Sequence, residues 1–171
     1  MNAVTLGPTG TYSHRAARAV ADDVAFRESV TAIIEAVAGG DFERGVVPIE
    51  NSIEGSVTET LDALADYEVC VTSEIVTPIR HALLAQDEEF DTIASHAQAL
   101  AQCRSYLEAH YPDATQEAVA STARGVQSAR ENPSVAGIGH PDNATNGTDL
   151  QILAEDIQDQ DSNATRFFVI A

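Results

Sequence analysis

Three polar segments of this 171-residue chain carry the residue types that could do chemistry, and each lies beside an apolar run. In the first segment, residues 6–14, two glycines permit a tight turn, and a helix can then begin beside the hydroxyls of Thr11 and Ser13. Hydroxyls and unpaired backbone N–H groups at a helix start can bind an anion. A plain strand–turn–helix connection explains the same residues, so both interpretations stay open.

The second segment, residues 47–56, places an amide and a hydroxyl at the end of a predicted strand. An apolar run ends in Glu50, Asn51 and Ser52, and Gly55 lets the chain turn. Ligands of open α/β sheets bind at the carboxyl ends of the strands, and neutral donors such as Asn51 and Ser52 suit a carboxylate. The alternative is that both side chains only satisfy the turn.

The third segment, residues 163–170, places Thr165 and Arg166 at the start of an apolar strand. A guanidinium is costly to bury there unless it meets an anion. That anion can be a substrate carboxylate or one of the chain's many acidic side chains. The lack of polar alternation after Arg166 predicts a strand that is buried on both faces.

Short β-type runs alternate with helical runs along the chain, which is the pattern of an α/β fold. The sequence predicts strands at residues 3–6, 45–49, 69–76, 81–85, 135–138, 150–153 and 166–170, and helices at 14–21, 30–38, 95–110 and 122–130. A further helix follows Ser56, which forms a capping-box pattern with Glu59. Ser95 and Ser121 are expected to cap later helices, and residues 140–148 are expected to form a polar loop. The apolar face of the helix after Ser56 is expected to comprise Val57, Leu61 and Leu64.

The composition excludes several kinds of partner. Aspartate and glutamate outnumber arginine by 27 to 9, lysine is absent, and the formal net charge is −18. Nucleic acids and anionic membranes both require a basic patch, so neither is expected. Concentrated salt would screen this self-repulsion, and the composition is typical of halophilic proteins. The sequence shows no signal-peptide pattern and no apolar run of about 20 residues, which favours a cytoplasmic protein.

Cysteine and histidine offer weaker candidates. Cys70 and Cys103 form no CxxC motif and are expected to be buried thiols, and no cluster has zinc spacing. Neither a metal nor a cofactor is therefore expected. Five histidines are rivals for acid catalysis, although a capping or surface role is common for such residues; they are His14, His81, His96, His110 and His140. Three Asn-x-Ser/Thr sequons are interpreted as chance; they begin at Asn143, Asn146 and Asn163.

In their order and separation, the three segments together resemble the catalytic domain of the prephenate dehydratases. The matching runs are Gly-Pro-x-Gly-Thr-Tyr-Ser from Gly7, Pro-Ile-Glu-Asn-Ser-x-x-Gly-x-Val-x-x-Thr-Leu-Asp from Pro48, and Asn-x-Thr-Arg-Phe from Asn163. Further matches are Pro-Ile-Arg-His from Pro78, Ser-His-Ala-Gln-Ala-Leu from Ser95, Gln-Cys from Gln102 and Ser-Thr from Ser121. The chain departs from the family pattern at Tyr12, where Phe is usual, at Ala97, where Pro is usual, and at Ala120, where an acidic residue is frequent.

The resemblance implies two α/β lobes, similar to type II periplasmic binding proteins, with the active site in a central cleft. Lobe one would comprise residues 1–76 and 162–171, and lobe two residues 77–161, with a crossover near residues 77–78 and no ACT regulatory domain in this chain. The implied reaction is the decarboxylating dehydration of prephenate to phenylpyruvate in phenylalanine biosynthesis. Neither cofactor nor metal would take part, and the implied assembly is a homodimer.

Residue by residue, the resemblance implies a catalytic set and a substrate-binding set. The catalytic set is Thr165, Asn51 and Gln102, with Thr165 donating a hydrogen bond to the departing hydroxyl. The substrate-binding set is Thr11, Ser13, Ser52, Ser121, Thr122, Arg166 and Phe167. The alternative is a bilobal module that binds small anions or senses them without catalysis, because the same fold also serves receptors.

Overall fold

The computed structural model describes residues 2–144 and 150–171, which fold as two α/β units. Unit 1 is Met1–Ile79 with Ser162–Ala171, and unit 2 is Arg80–Asp161. The expectation of two α/β units is confirmed. In chain order the elements are β1 (Asn2–Leu6), α1 (Tyr12–Arg18), β2 (Asp23–Arg27), α2 (Val30–Ala38), β3 (Arg44–Asn51), β4 (Gly55–Ser56), α3 (Thr58–Asp66), β5 (Val71–Pro78), β6 (Ala82–Ala85), β7 (Thr92–His96), α4 (Ala97–Gln102), α5 (Arg104–His110), β8 (Thr115–Val119), α6 (Thr122–Glu131), β9 (Val135–Gly139), a short 3-10 helix (Pro141–Asn143), β10 (Gln151–Ala154) and β11 (Ala164–Ile170).

The sheet of unit 1 has the strand order β2-β1-β3-β11-β5, and β4 pairs with β3. Strand β11 lies between β3 and β5 and is antiparallel to both. Successive side chains of a strand point to opposite faces, and here both faces are covered. Phe167 and Val169 pack with helix α1, whereas Phe168 and Ile170 pack with helix α2. The predicted strand with two buried faces is therefore confirmed.

The sheet of unit 2 has the strand order β10-β6-β9-β7-β8. Strands β7, β8 and β9 are parallel, and β6 is antiparallel to β9. The carboxyl ends of the three parallel strands therefore share one edge of the sheet, and β6 begins at that same edge. In open α/β sheets this edge is where ligands bind. No helix among the described residues is long and apolar enough to cross a membrane.

Several local predictions are wrong. Ser56 lies in β4 and does not cap a helix. Helix α3 begins after Val57, which makes no side-chain cap bond. The Glu59 carboxylate instead accepts a hydrogen bond from the backbone N–H of Thr31 (3.3 Å). Leu61, expected on the apolar face, is exposed. Ser95 is buried inside β7 and donates to the carbonyl of Ile138 (2.7 Å).

Other differences concern element boundaries. His96, rather than Ser95, caps the next helix, and that helix breaks at Cys103 into α4 and α5. Strands β2, β4, β7 and β8 were not predicted. The expected crossover near residues 77–78 lies inside β5, so residues 77–79 belong to unit 1. The predicted loop at 140–148 contains a 3-10 turn, and its remainder, like the Asn146 sequon, lies outside the described residues.

Helix α6 can lie against strand β7 only because Gly125 has no side chain. A Cβ atom at this position would lie 2.3 Å from the carbonyl oxygen of Ala94, which is backbone and cannot move aside. We expect Gly125→Ala to destabilise the protein by about 2–3 kcal/mol, which corresponds to a drop in Tm of roughly 5–10 °C. Thermal unfolding followed by circular dichroism measures this drop. Ser128→Ala, on the same helix, is the control and should leave Tm almost unchanged.

Candidate active site

Asn51 and Thr165 lie opposite each other on the adjacent strands β3 and β11. The Asn51 side-chain amide donates to the Thr165 hydroxyl oxygen at 2.9 Å. Its carbonyl oxygen accepts from the backbone N–H groups of Ile53 (2.9 Å) and Glu54 (3.2 Å). Both residues are half-buried. The amide of Asn51 is thus held at both ends, and Thr165 Oγ is fixed as the acceptor of one of its bonds.

Asn163 completes this arrangement, although the sequence analysis did not assign it a role. It is only 2% exposed, and its side-chain oxygen accepts from the second hydrogen of the Asn51 amide at 3.0 Å. Its backbone oxygen accepts from Ile79 N at 2.9 Å. A buried asparagine requires such partners. The signal available in the sequence was its place at the head of the motif that includes Thr165.

The hydroxyl of Ser52 joins the end of β3 to the start of β11. It accepts from the backbone N–H of Ala164 (2.9 Å) and donates to the carbonyl of Ser162 (3.2 Å). The backbone N–H of Ser52 donates to the carbonyl of Ala164 (2.9 Å). Ser52 therefore holds the two strand ends together beside Thr165, which matches the structural role that the sequence left open.

The guanidinium of Arg166 pairs with two carboxylates of its own unit. It lies 2.7 Å from Glu50 Oε2 on β3 and 2.6 Å from Glu74 Oε2 on β5. Hydrogen bonds to Glu74 and Glu50 raise the pKa of Arg166 above its usual value. Because Arg166 follows Thr165 directly in β11, the two side chains point to opposite faces of the sheet. These two ion pairs are the alternative that the sequence left open and favour a structural role for Arg166, whose recognition of substrate stays a prediction.

Phe167 is 1% exposed and packs with Ala16 and Ala17 of helix α1 and with Val46. These contacts are those of a core residue, and contact of Phe167 with substrate stays a prediction. A side chain enclosed on this scale contributes to the core through its buried apolar area. Its place in the family motif fits that packing role.

Thr11 and Ser13 lie at the start of α1. The Thr11 hydroxyl caps the helix by accepting from His14 N (3.2 Å), and it donates to the carbonyl of Pro8 (2.9 Å). His14 Nδ1 accepts from Gly10 N (3.1 Å). Burial, with Arg18 and Arg15 nearby, lowers the pKa of His14. Ser13 is half-buried in the first turn. The segment forms the strand–turn–helix connection that was one of its two interpretations.

In unit 2, Gln102 lies at the end of α4, and its side-chain oxygen is 2.9 Å from Nε2 of His81. His81 is only 2% exposed and immediately precedes β6. Burial lowers the pKa of His81, although the hydrogen bond to Gln102 opposes that shift. The sequence placed His81 among five rival histidines and at the end of the Pro-Ile-Arg-His match, without a role of its own. The available signals were that match and the apolar run Ala82–Ala85 that follows it.

Ser121 and Thr122 lie between β8 and α6, at the edge of the second sheet where its parallel strands end. The Ser121 hydroxyl accepts from the backbone N–H of Arg124 (3.0 Å), so the predicted cap is confirmed. Thr122 is the first residue of α6. Two histidines lie at the same edge and cap local turns, His96 at the end of β7 and His140 after β9. Both Ser121 and Thr122 are half-buried.

The cysteines have no reactive partner in the described part of the chain. Cys103 is buried, and burial together with Asp159 raises the pKa of its thiol to about 12. Cys70 is exposed, so the prediction of two buried thiols is correct only for Cys103. Among residues 2–144 and 150–171, no group of three or more His, Cys, Asp or Glu side chains could hold a metal ion.

Two sheets with polar residues at their strand ends define an α/β protein of two units, and comparison with known proteins identifies its family. The sequence model of the family "Prephenate dehydratase" matches residues 3–171. A bifunctional chorismate mutase/prephenate dehydratase of Pseudomonas aeruginosa is 38% identical over 175 residues, covering 96% of this chain and 47% of that protein. A prephenate dehydratase of Lactococcus lactis is 36% identical over 177 residues, covering 99% of this chain and 63% of that protein.

A solved structure gives the same result. The prephenate dehydratase of Arthrobacter aurescens, in complex with L-Phe, superposes with a TM-score of 0.89 at 33% identity, covering 100% of this chain and 60% of that one. The chain spans about half to two thirds of the length of these relatives. It belongs to the prephenate dehydratase family.

Proposed function

We propose that this chain is a prephenate dehydratase, a carbon–oxygen lyase that converts prephenate to phenylpyruvate, carbon dioxide and water. The ring carboxylate leaves as carbon dioxide, and its bonding electrons complete the aromatic ring. The 4-hydroxyl leaves with the electrons of its C–O bond and takes up a proton to become water. Aromatisation drives the reaction, so the protein must recognise the carboxylates and assist the departing hydroxyl.

Thr165 is the donor that assists the departing hydroxyl. Its oxygen already accepts a hydrogen bond from Asn51, so its own hydrogen must be donated in another direction. An alcohol is too weak an acid to transfer its proton outright near neutral pH. Thr165 therefore acts as an oriented donor to the charge that develops on the leaving oxygen, and the proton comes finally from water. This Asn51–Thr165 hydrogen bond is the single observation that carries the proposal.

The remaining candidate residues supply uncharged donors. In unit 2 the amide of Gln102 and the hydroxyls of Ser121 and Thr122 are suited to the substrate carboxylates, and in unit 1 Ser13 is a further candidate. Asn51, Ser52 and Thr11 hold the local structure through the bonds described above. Neutral donors suit this reaction because strong solvation of the ring carboxylate would oppose its loss as carbon dioxide.

The test is to mix the purified protein with prephenate near neutral pH and to measure phenylpyruvate by its absorbance in alkali. We expect turnover without added metal or cofactor. Calorimetry on the same samples measures binding independently. Binding of prephenate without turnover would contradict the proposal and favour a module that binds small anions.

Arg166 provides a prediction that separates structure from recognition. Arg166→Met should lower Tm, because the carboxylates of Glu50 and Glu74 lose their shared cation and repel each other. The loss should shrink in molar salt, because exposed charges are then screened. We expect no loss of kcat/KM for prephenate. A large rise in KM at unchanged Tm would show instead that Arg166 binds the substrate.

A further inference from the structure

His81 is a buried titratable group in direct contact with a candidate active-site residue. Its ring is 2% exposed, and its Nε2 atom lies 2.9 Å from the side-chain oxygen of Gln102. A polar ring that is buried to this degree requires a partner. The partner here is the amide that we have proposed as a donor to the substrate.

One short segment of unit 2 holds the backbones of both residues. The backbone N–H of His81 donates to the side-chain oxygen of Gln158 (2.8 Å), and its carbonyl accepts from Ile157 N (3.1 Å). The carbonyl of Gln102 accepts from Asp159 N (2.7 Å). Three consecutive residues, 157–159, therefore fix the start of β6 against the end of α4. The imidazole and the amide face each other on a rigid frame.

The chemistry of the two groups fixes the direction of their hydrogen bond. The structure places the amide oxygen of Gln102 towards the ring, and because an amide oxygen can only accept, this orientation puts the hydrogen on Nε2 of His81. Burial favours the neutral form of the ring by lowering its pKa. A neutral imidazole carries one N–H, and that N–H is donated to Gln102. Burial of the ring and donation of its N–H to Gln102 both disfavour His81 as the acid for a leaving group.

We propose that His81 is a positioning residue that fixes the orientation of the Gln102 amide. With the oxygen held by His81, the NH2 group is presented as the donor for a carboxylate of the substrate. Without His81, the amide could rotate by half a turn and present its oxygen, which would repel a carboxylate. The substrate in this inference is the prephenate of the proposed function, on which the inference rests.

The first experiment tests the geometry without substrate. Protein labelled with 15N-histidine is examined by NMR at pH 8, and the Gln102→Leu variant identifies the His81 signals. We expect the neutral tautomer with hydrogen on Nε2, and a change in that N–H proton signal in Gln102→Leu. A neutral His81 with hydrogen on Nδ1 would overturn the proposal, because the amide would then have to donate to the ring.

The second experiment is a double-mutant cycle with prephenate as substrate. His81→Phe should lower kcat/KM about tenfold, the equivalent of one lost hydrogen bond. His81→Gln, whose amide nitrogen can reach the position of Nε2, should retain most of the activity. In the Gln102→Leu background, His81→Phe should cost little further activity, because the group that it positions is gone.

The cycle separates a positioning role from a structural one. Equal fold-losses in both backgrounds would overturn the proposal, because His81 would then act independently of Gln102. If His81→Phe does not fold, the same comparison is made with His81→Gln and His81→Asn. The Asn side chain is too short for its amide nitrogen to reach the Gln102 oxygen. Absence of turnover by the wild-type protein would overturn the proposed function itself, whereas turnover with additive losses would overturn only the role of His81.

Discussion

Replacement of Thr165 by alanine is expected to lower kcat by about 100-fold or more, the effect of losing a donor to developing negative charge. Thr165→Ser keeps an oxygen that can accept from Asn51 and a hydrogen that can be donated, so it should retain substantial activity. Steady-state kinetics with prephenate measures both variants. KM should change less than kcat, because the bond forms mainly as the hydroxyl departs.

Thr72→Ala is the matched control for Thr165→Ala. The Thr72 hydroxyl of β5 donates to the carbonyl of Val169 on β11 (3.1 Å), the strand that also carries Thr165. Thr165 pairs with Thr77 of β5, and Thr72 lies five positions further along that strand, about 17 Å away at 3.3 Å per residue. The control should lose a hydroxyl without losing activity. Equal activity losses in Thr165→Ala and Thr165→Ser would show that the hydroxyl is not the active feature.

Salt is expected to increase both activity and stability, because prephenate is a dianion and the chain carries a net charge of −18. In dilute buffer this charge repels the substrate and the chain repels itself. The Debye length falls from about 10 Å at 0.1 M to about 3 Å at 1 M. Molar salt therefore screens the interactions between distant charges but has little effect on contacts at hydrogen-bond distance. Between 0.1 M and a few molar KCl, kcat/KM should rise up to about tenfold, and Tm should rise with it.

A variant with less charge tests the cause of the salt effect. Glu35, Asp62, Glu108 and Glu117 are exposed, and changing all four to amides removes four negative charges. This variant should be more stable than the wild type in dilute buffer and should respond less to KCl. A fall of kcat/KM with salt, while circular dichroism shows an intact fold, would mean that exposed charge pairs bind the substrate.

Elements with strong local signals were predictable from the sequence. Helix α2 has the predicted bounds, Val30–Ala38, because a cap and an apolar periodicity agree there. Strand β11 was predicted as a doubly buried strand because its apolar run leaves no polar face. In contrast, β8 (Thr115–Val119) is polar and largely exposed at a sheet edge. This segment is a strand because it pairs with β7, and no local sequence pattern predicts such a pairing.

The two wrong caps have the same origin. Ser56 and Ser95 have residue types that suit a helix start, yet each is used by a strand. Ser56 pairs with Glu50 across β4 and β3, and the Ser95 hydroxyl bonds to a carbonyl of the neighbouring strand. A capping pattern in the sequence indicates which local hydrogen bonds a side chain can form. Tertiary contacts decide which of the possible bonds is formed.

Within the candidate site, the sequence predicted residue types better than the partners of those residues. The motif identified Asn51 and Thr165, and the structure shows them hydrogen-bonded. The sequence left open a salt bridge between Arg166 and an acidic side chain, but it could not identify Glu50 and Glu74 as the partners, because both are distant from Arg166 in the sequence and near it only in the sheet. His81 was missed for a similar reason, since only the folded chain brings it to Gln102.

The position of β11 between β3 and β5 in the first sheet has a consequence for the order of folding. Its pairing with β3 joins residues 116 positions apart, and all of unit 2 lies between them in the sequence. During synthesis, unit 2 is a continuous segment that can form its sheet first. Strands β3 and β5 are made before β11, so until β11 is made each lacks the strand that pairs with it in the finished sheet. Pairing of such distant residues is slow, so the exposed edges of β3 and β5 make the incomplete chain vulnerable to aggregation. The acidic charge that opposes stability of the finished protein in dilute buffer would also keep these unfinished chains apart.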